Sequence, residues 1–374
     1  MIKKKLSAPK RYLIQFILTI IFFLTIIALI NINVDPEKIY PNKIKIFKNP
    51  FQLKKEIDKL IQSKGYLVYK EKYWNERKFY DILSTKHKNA ECIILGSSST
   101  AAVSKKQNPP ILNKNCNSIL NLSLSGGSIE DYFALSNNIN PKVIQGKKIL
   151  LGIQPFTLNF NRDLRWLIYS ENFNEFINKI NVKTTSSNNS YFNNKNIANL
   201  VKNLTSFEYL KESLKILLNV NEKNFKIKKF VDQKDLVSNN IIAFDGSRKI
   251  REPKNDKIDF SSNLINYKIL NNRWYDETVF KLLINYKDYY SPKNQIIFIL
   301  TPYHPYVWTL KNEPIVKAMI EVEKVIHSFA KKNKIKIIGS FNPKNVGCVE
   351  FEFYDALHSS SKCLAKLENY SINY

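Results

Sequence analysis

Residues Leu13 to Ile30 read LIQFILTIIFFLTIIALI, an uncharged run interrupted only by Gln15, Thr19 and Thr25. With its flanks (residues 12–32) it approaches the ~20 apolar residues that a helix needs to cross a ~30 Å hydrocarbon core. Backbone groups in lipid must be paired internally, so helix is the expected form. Lys3, Lys4, Lys5, Lys10 and Arg11 precede the run. The positive-inside bias therefore keeps residues 1–11 in the cytoplasm and sends the rest of the chain across. Asn31-Ile32-Asn33 offers no small-x-small cleavage site, so a retained anchor is expected rather than a removed signal peptide.

Beyond the anchor the pattern changes twice. Residues 33–90 read as a stalk with helices. Asp35-Pro36 and Tyr40-Pro41 mark extended chain, and amphipathic spacing appears over Phe51–Ile61 and Trp74–Leu83. From residue 91 on, short apolar runs end on glycine or on a turn: Cys92–Leu95 before Gly96, Ile119–Leu124 before Gly126, Lys148–Leu151 before Gly152, Ile296–Leu300 before Thr301-Pro302, and Ile335–Ile338 before Gly339. Runs of this kind suit strands buried on both faces. Helical spacing over Ile129–Asn138, Asp276–Tyr286 and Glu313–Lys332 lies between them. Strand and helix alternation predicts an α/β fold on a parallel sheet of about five strands. Residues ~160–275 break the rhythm and read as a large helical and irregular insertion, with Phe207–Leu218 helical and 186–190 at its loosest point. It is either a lid or a decorative segment.

Composition adds little until it is set beside the anchor. The chain has 374 residues, 44% of them hydrophobic, enough for a sizeable core. Its 58 Lys plus Arg against 32 Asp plus Glu give a net charge of +26. The lysines are scattered rather than gathered with interleaved aromatics, so no nucleic-acid partner is expected. Anionic lipid, an acidic glycan or simple solvation accounts for the charge. The four cysteines have no zinc-like spacing. Cys348 and Cys363 bracket a C-terminal motif and can pair outside the cytoplasm, whereas Cys92 reads as a buried thiol. No metal or organic cofactor is implied.

In a doubly wound sheet, ligands bind beyond the carboxyl ends of the strands. Ser98 stands there, in Leu95-Gly96-Ser97-Ser98. A serine nucleophile needs a base, and the chain has only four histidines. His87 lies in a polar loop and His327 inside a helical pattern. His304, in Thr301-Pro302-Tyr303-His304-Pro305, is either a substrate contact or a turn histidine. His358 alone has a carboxylate close by, Asp355, at a spacing that lets the acid fix the imidazole tautomer. In the insertion, Arg248 and Arg251 are either sites for an anionic donor or glycan, or solvated charges.

These blocks resemble those of the SGNH, or GDSL-like, hydrolases and acyltransferases. Gly96-Ser97-Ser98 matches the first block, with Ser98 as nucleophile, and Asp355 with His358 matches the last. Asn121–Gly126 is similar to the second block, placing Gly126 in an oxyanion hole with the Ser98 N–H. The third block departs: Gly152-Ile153-Gln154-Pro155 stands where the family carries Gly-x-Asn-Asp, so Gln154 would have to supply the side-chain amide. The resemblance covers about 91–159 and 290–365. It implies a three-layer, flavodoxin-like fold and a Ser-His-Asp esterase or O-acyltransferase. The anchor makes the chain similar to the tethered branch that moves D-alanyl or acetyl groups onto teichoic acids and exopolysaccharides. That implies a single-pass protein of a bacterial cytoplasmic membrane with its catalytic domain outside. Its partners would be the bilayer, an envelope glycan or acyl donor, and a membrane-bound acyltransferase. A degenerate member that only binds glycan or scaffolds an assembly stays open beside it.

Overall fold

The computed structural model describes residues 8–35, 40, 51–69, 76–87, 89–158, 164–180, 201–218, 225–238, 240–250 and 274–374. They fall into two compact units, one of residues 1–49 with 183–223, the other of 50–182 with 224–374. Arg251 and the segment 186–190 lie outside the described residues.

The smaller unit is built on helix α1 (Ala8–Val34), of which Pro9–Val34 is long and apolar enough to cross a membrane. At 1.5 Å per residue this helix exceeds the hydrocarbon core. Its apolar side chains are largely exposed, Leu13, Phe16, Leu18 and Phe22 among them.

The larger unit begins with α2 (Phe51–Ser63), β1 (Tyr66–Tyr69) and α3 (Glu76–Lys86). The strands β2 (Cys92–Leu95), β3 (Ile119–Asn121) and β4 (Lys148–Ile153) follow, with α4 (Ile129–Asn138) after β3. Then come α5 (Ser170–Lys179), α6 (Phe207–Leu218, in the smaller unit), β5 (Phe225–Lys228) and β6 (Asn240–Ala243). The chain closes with α7 (Glu277–Tyr290), β7 (Gln295–Leu300), α8 (Pro314–Asn333), β8 (Lys336–Gly339) and β9 (Ser371–Ile372).

The main sheet has the order β3-β2-β4-β7-β8-β9. Its first five strands are parallel and β9 runs antiparallel to β8. Taken alone, the parallel strands follow the order 2-1-3-4-5, whose switch point lies between the first and third strands. Here that is the crevice between β2 and β4, and Ser98 leaves β2 beside it. The insertion is not a single appendage. Its β5 and β6 flank β1 in a separate antiparallel sheet, with Tyr66 opposite Lys228 on one side and Ala243 on the other.

The two faces of the main sheet are covered differently. On one, Phe298 stacks on Phe329 of α8, Phe280 of α7 meets the same ring, and Phe133 of α4 stacks on Tyr286 of α7. On the other, Ile94, Leu150, Ile297, Ile299 and Ile338 pack against residues of 102–116 and 346–367. These segments form turns and one-turn helices rather than long helices. Both disulfides, Cys92–Cys116 and Cys348–Cys363, lie in this cluster. Cross-links that close loops of this size lower the entropy of the unfolded chain, which suits a layer with little regular structure. Cys92 is therefore a disulfide partner and not a buried thiol. Its partner lies 24 residues on, in a loop that returns to the foot of its own strand.

A buried acid adds a pH dependence to this unit. Glu130, in the first turn of α4, is 4% exposed. Burial raises its carboxyl from 4.5 to about 7; a hydrogen bond with Ser128 opposes the shift, and the charges of Asp131 and Asp276 add to it. The folded state thus holds this proton more tightly than the unfolded chain. The associated stability is complete below pH 4.5 and is lost as pH rises through about 7. A shift of this size corresponds to about 3 kcal/mol. Glu130→Gln keeps the shape and removes the ionisation. In urea titrations of the detergent-solubilised protein it is expected to remove roughly 2–3 kcal/mol of the decline between pH 5 and pH 8. A decline equal to that of the wild type would assign the dependence to another group.

Candidate active site

Ser98 opens a 3₁₀ turn, Ser98–Thr100, immediately after β2. Two features hold that turn. A Cβ on Gly96 would run into the Thr100 hydroxyl and into Ser123, so only glycine lets the turn and the end of β3 close on this strand end. The second is Asn121, at the end of β3 and fully buried. Its amide donates to the Thr100 and Val103 carbonyls at 2.9 Å and the Ala101 carbonyl at 3.3 Å, while its Oδ1 accepts from Ser123 N at 2.9 Å. Asn121 is a positioning residue that reading the strand as an apolar run overlooks. The available signal was a lone amide inside Ile119–Leu124.

His358 reaches this serine from the opposite end of the chain. Its Nε2 lies 2.8 Å from Ser98 Oγ, and its Nδ1 lies 2.7 Å from Asp355 Oδ2. The other carboxylate oxygen, Oδ1, accepts from the backbone N–H groups of Leu357 (2.7 Å) and His358 (2.8 Å). Burial alone would raise the Asp355 carboxyl. The hydrogen bond and charge of His358, with the two backbone donors, outweigh it and hold the pKa below the usual carboxylate value. Asp355 thus stays anionic and accepts the Nδ1 proton, leaving the Nε2 lone pair toward Ser98. With side chains 32% and 21% exposed, His358 and Asp355 remain open to solvent.

The loop that carries both residues is pinned on several sides. Phe353 bridges Ser359, Tyr354 N donates to His358 O at 2.9 Å, and Ser360 N donates to Glu352 O at 2.7 Å. Ser359 Oγ donates to Pro302 O at 3.0 Å, tying the loop to the exit of β7. His304 belongs to this support. It is fully buried, its N–H donates to Ala356 O at 3.1 Å, and its Nδ1 accepts from Tyr306 N at 3.0 Å. Its ring stands edge-on to Phe353, and burial pushes its pKa down. These contacts place His304 in the turn that supports the His358 loop.

The remaining predicted site residues sit at neighbouring strand ends. Gly126 follows β3 in a left-handed conformation, φ +58°. Gln154 follows β4, is buried, and gives its side-chain N–H to Thr301 Oγ1. Arg248 is half-buried and paired with a carboxylate. Burial disfavours its charge, but Glu76 beside it more than compensates, so its pKa lies above the ordinary value. Its Nη2 donates to the Glu76 carboxylate and to Ser125 Oγ, the latter at 2.7 Å. Glu76 in turn accepts from Ser125 N at 3.1 Å, and Arg165 donates to Ser125 O at 3.0 Å. All three polar groups of Ser125 are thereby held, which fixes the residue before Gly126. The turn that carries Arg248 is itself docked on the serine's loop: Arg248 N donates to Ala101 O at 2.7 Å, and Asn121 N donates to Asp245 O at 2.7 Å.

This arrangement can take a proton from a serine hydroxyl and return it to a leaving group, at the switch point of a parallel sheet. No family model and no curated protein matches this sequence.

Proposed function

We propose that this chain is a membrane-anchored serine acyl-transfer enzyme of SGNH type, an O-acyltransferase or esterase acting on envelope polysaccharide or a related ester. The observation that carries the reading is the continuous relay from Ser98 Oγ through His358 to Asp355, with contacts of 2.8 and 2.7 Å. The strand order, with the serine after the first parallel strand, supports the family-level reading. Two disulfides favour an oxidising compartment, and α1 supplies the tether.

The chemistry follows from the geometry. Ser98 Oγ attacks the ester carbonyl as His358 Nε2 takes its proton, and Asp355 stabilises the imidazolium. The N–H groups of Ser98 and Gly126, with the Gln154 amide, are assigned to the oxyanion. His358 then protonates the departing alkoxide, leaving an acyl group on Ser98. Water or a glycan hydroxyl attacks that ester and gives its proton to His358, which returns it to Ser98 Oγ as the acyl–oxygen bond breaks and free acid or acylated glycan leaves. The tether keeps the site close to where envelope polymers are assembled, which favours transfer.

A fluorophosphonate probe tests this directly. Covalent labelling of Ser98, seen by peptide mass and lost in Ser98→Ala, is expected. Absence of labelling in protein with a wild-type melting profile would leave the glycan-binding scaffold as the better reading.

A further inference from the structure

In the smaller unit, α6 is fastened to the end of α1 by polar contacts. Asn31 of α1 is fully buried. Its amide donates to the carbonyls of Leu204 (2.9 Å), Asn203 (3.2 Å) and Ser206 (3.3 Å), and its Oδ1 accepts from Ser213 Oγ at 3.1 Å. Asp35 Oδ1 accepts from Tyr209 OH at 2.7 Å, and Tyr40 packs edge-on against the Tyr209 ring. Tyr209 pairs with Asp35 and Ser213 with Asn31, so one turn forward on α6 is one turn back on α1. The helices are antiparallel, and the C-terminal half of α6 runs back alongside the apolar run that ends at Ile30. Ile27, one turn before Asn31, is buried at 8% exposure although most apolar residues of the run are exposed.

The rest of α6 divides into two sectors. At about 100° per residue, Phe207, Leu210, Leu214 and Leu217 fall within roughly 80° of one another. Phe207, Leu214 and Leu217 are exposed by 73%, 42% and 47%. Glu208, Lys211, Glu212 and Lys215 occupy a separate sector. The apolar sector adjoins the face that carries Tyr209 and Ser213, so it continues the exposed apolar surface of α1. Charged residues stand only on the far side of that stripe.

We propose that α6 is a second membrane element that enters the bilayer beside the outer end of α1, with Leu214 and Leu217 in the acyl-chain region and Phe207 at the headgroup level. This rests on α1 spanning the bilayer. The pairing of Ser213 with Asn31 places Leu217 one turn further in, roughly 5 Å below Asn31 and level with the apolar run of α1. The basic residues Lys211 and Lys215 suit this position, since long basic side chains reach back to the headgroups. A helix bolted antiparallel to the anchor supplies two contacts with the membrane instead of one. The smaller unit then has a defined tilt and rotation at the surface, which a single helix on a loose tether lacks.

Nitroxide labels on single added cysteines test the proposal, because every native cysteine is in a disulfide. The full chain is reconstituted in phosphatidylcholine–phosphatidylglycerol vesicles. Collision with oxygen, which partitions into lipid, is compared with collision with a water-soluble nickel chelate. Leu214→Cys and Leu217→Cys are expected to favour oxygen by several-fold, as Phe22→Cys in α1 does, while Glu212→Cys favours nickel. If one of these two variants melts below the wild type, the other carries the test. Labels at 214 and 217 that favour nickel while Phe22 favours oxygen would overturn the proposal and leave the anchor intact. Shielding from both agents would overturn it in favour of a second copy or another protein on this face. Nickel access at Phe22 would instead remove the anchor reading itself.

Discussion

Replacing Ser98 by alanine is expected to lower the turnover of an activated acetyl ester by on the order of 10⁴-fold or more. The size follows from the wiring of the site. In the proposed relay Ser98, His358 and Asp355 act as a unit, so His358→Ala should cost about as much, and the double variant little more than either single one. Asp355→Asn separates a catalytic from a merely structural carboxylate. Backbone N–H groups of Leu357 and His358 already hold one oxygen of residue 355. An asparagine keeps its oxygen there and turns its NH₂ toward His358 Nδ1. The imidazole must then accept at Nδ1 and carry its proton on Nε2, where it cannot take one from Ser98. A loss of about 10³–10⁴-fold with an unchanged melting temperature is expected. The measurement is nitrophenyl acetate hydrolysis by the detergent-solubilised chain. Ser98→Ala activity within tenfold of wild type would remove the serine from the chemistry.

What the sequence made readable has a physical pattern. Cys92–Leu95, Lys148–Ile153 and Gln295–Leu300 are short apolar runs bounded by turn residues, because strands buried on both faces leave no room for polar alternation. Their carboxyl ends therefore stood out, and Ser98 with them. Asp355 and His358 were readable as a pair because their contact is local, three residues apart. The antiparallel sheet was not readable. Tyr66–Tyr69 and Phe225–Lys228 are four-residue strands with no distinctive pattern, and their pairing spans more than a hundred residues. The Cys92–Cys116 bridge was hidden for a similar reason, since nothing local says where the loop after Val103 returns.

Arg248 and His304 mark a different limit. Each had two readings from sequence, and the side chain's partners come from distant parts of the chain. Glu76 and Ser125 come to Arg248 from α3 and from the loop after β3, and Ala356 comes to His304 from beyond β8. Polar side chains near a site are ambiguous until burial is known. Both side chains make bonds that hold loops of the site.

The buried pair Arg77–Asp131 carries the largest expected effect on stability. Arg77 binds the carboxylate with two bonds, Nε to Oδ1 at 2.9 Å and Nη2 to Oδ2 at 2.8 Å, and the side chains are only 4% and 0% exposed. Asp131 also accepts from Ser128 N at 3.0 Å, completing the capping box that starts α4. Arg77→Met removes the cation and strands the carboxylate in the interior, an expected loss of about 3–5 kcal/mol. For a domain of this size that lowers the melting temperature by on the order of 10 °C. The pair itself is not worth that much, because two desolvated charges repay little more than the cost of burying them. Arg77→Met with Asp131→Leu should therefore recover most of the loss, short of the ~1 kcal/mol that the cap contributes. Thermal melts of the two single variants and the double variant measure the coupling. A double variant as unstable as the sum of the singles would show that the two side chains act independently. If the cycle comes out as expected, Ser128 and its helix owe their position to a charge carried by α3, some fifty residues earlier in the chain.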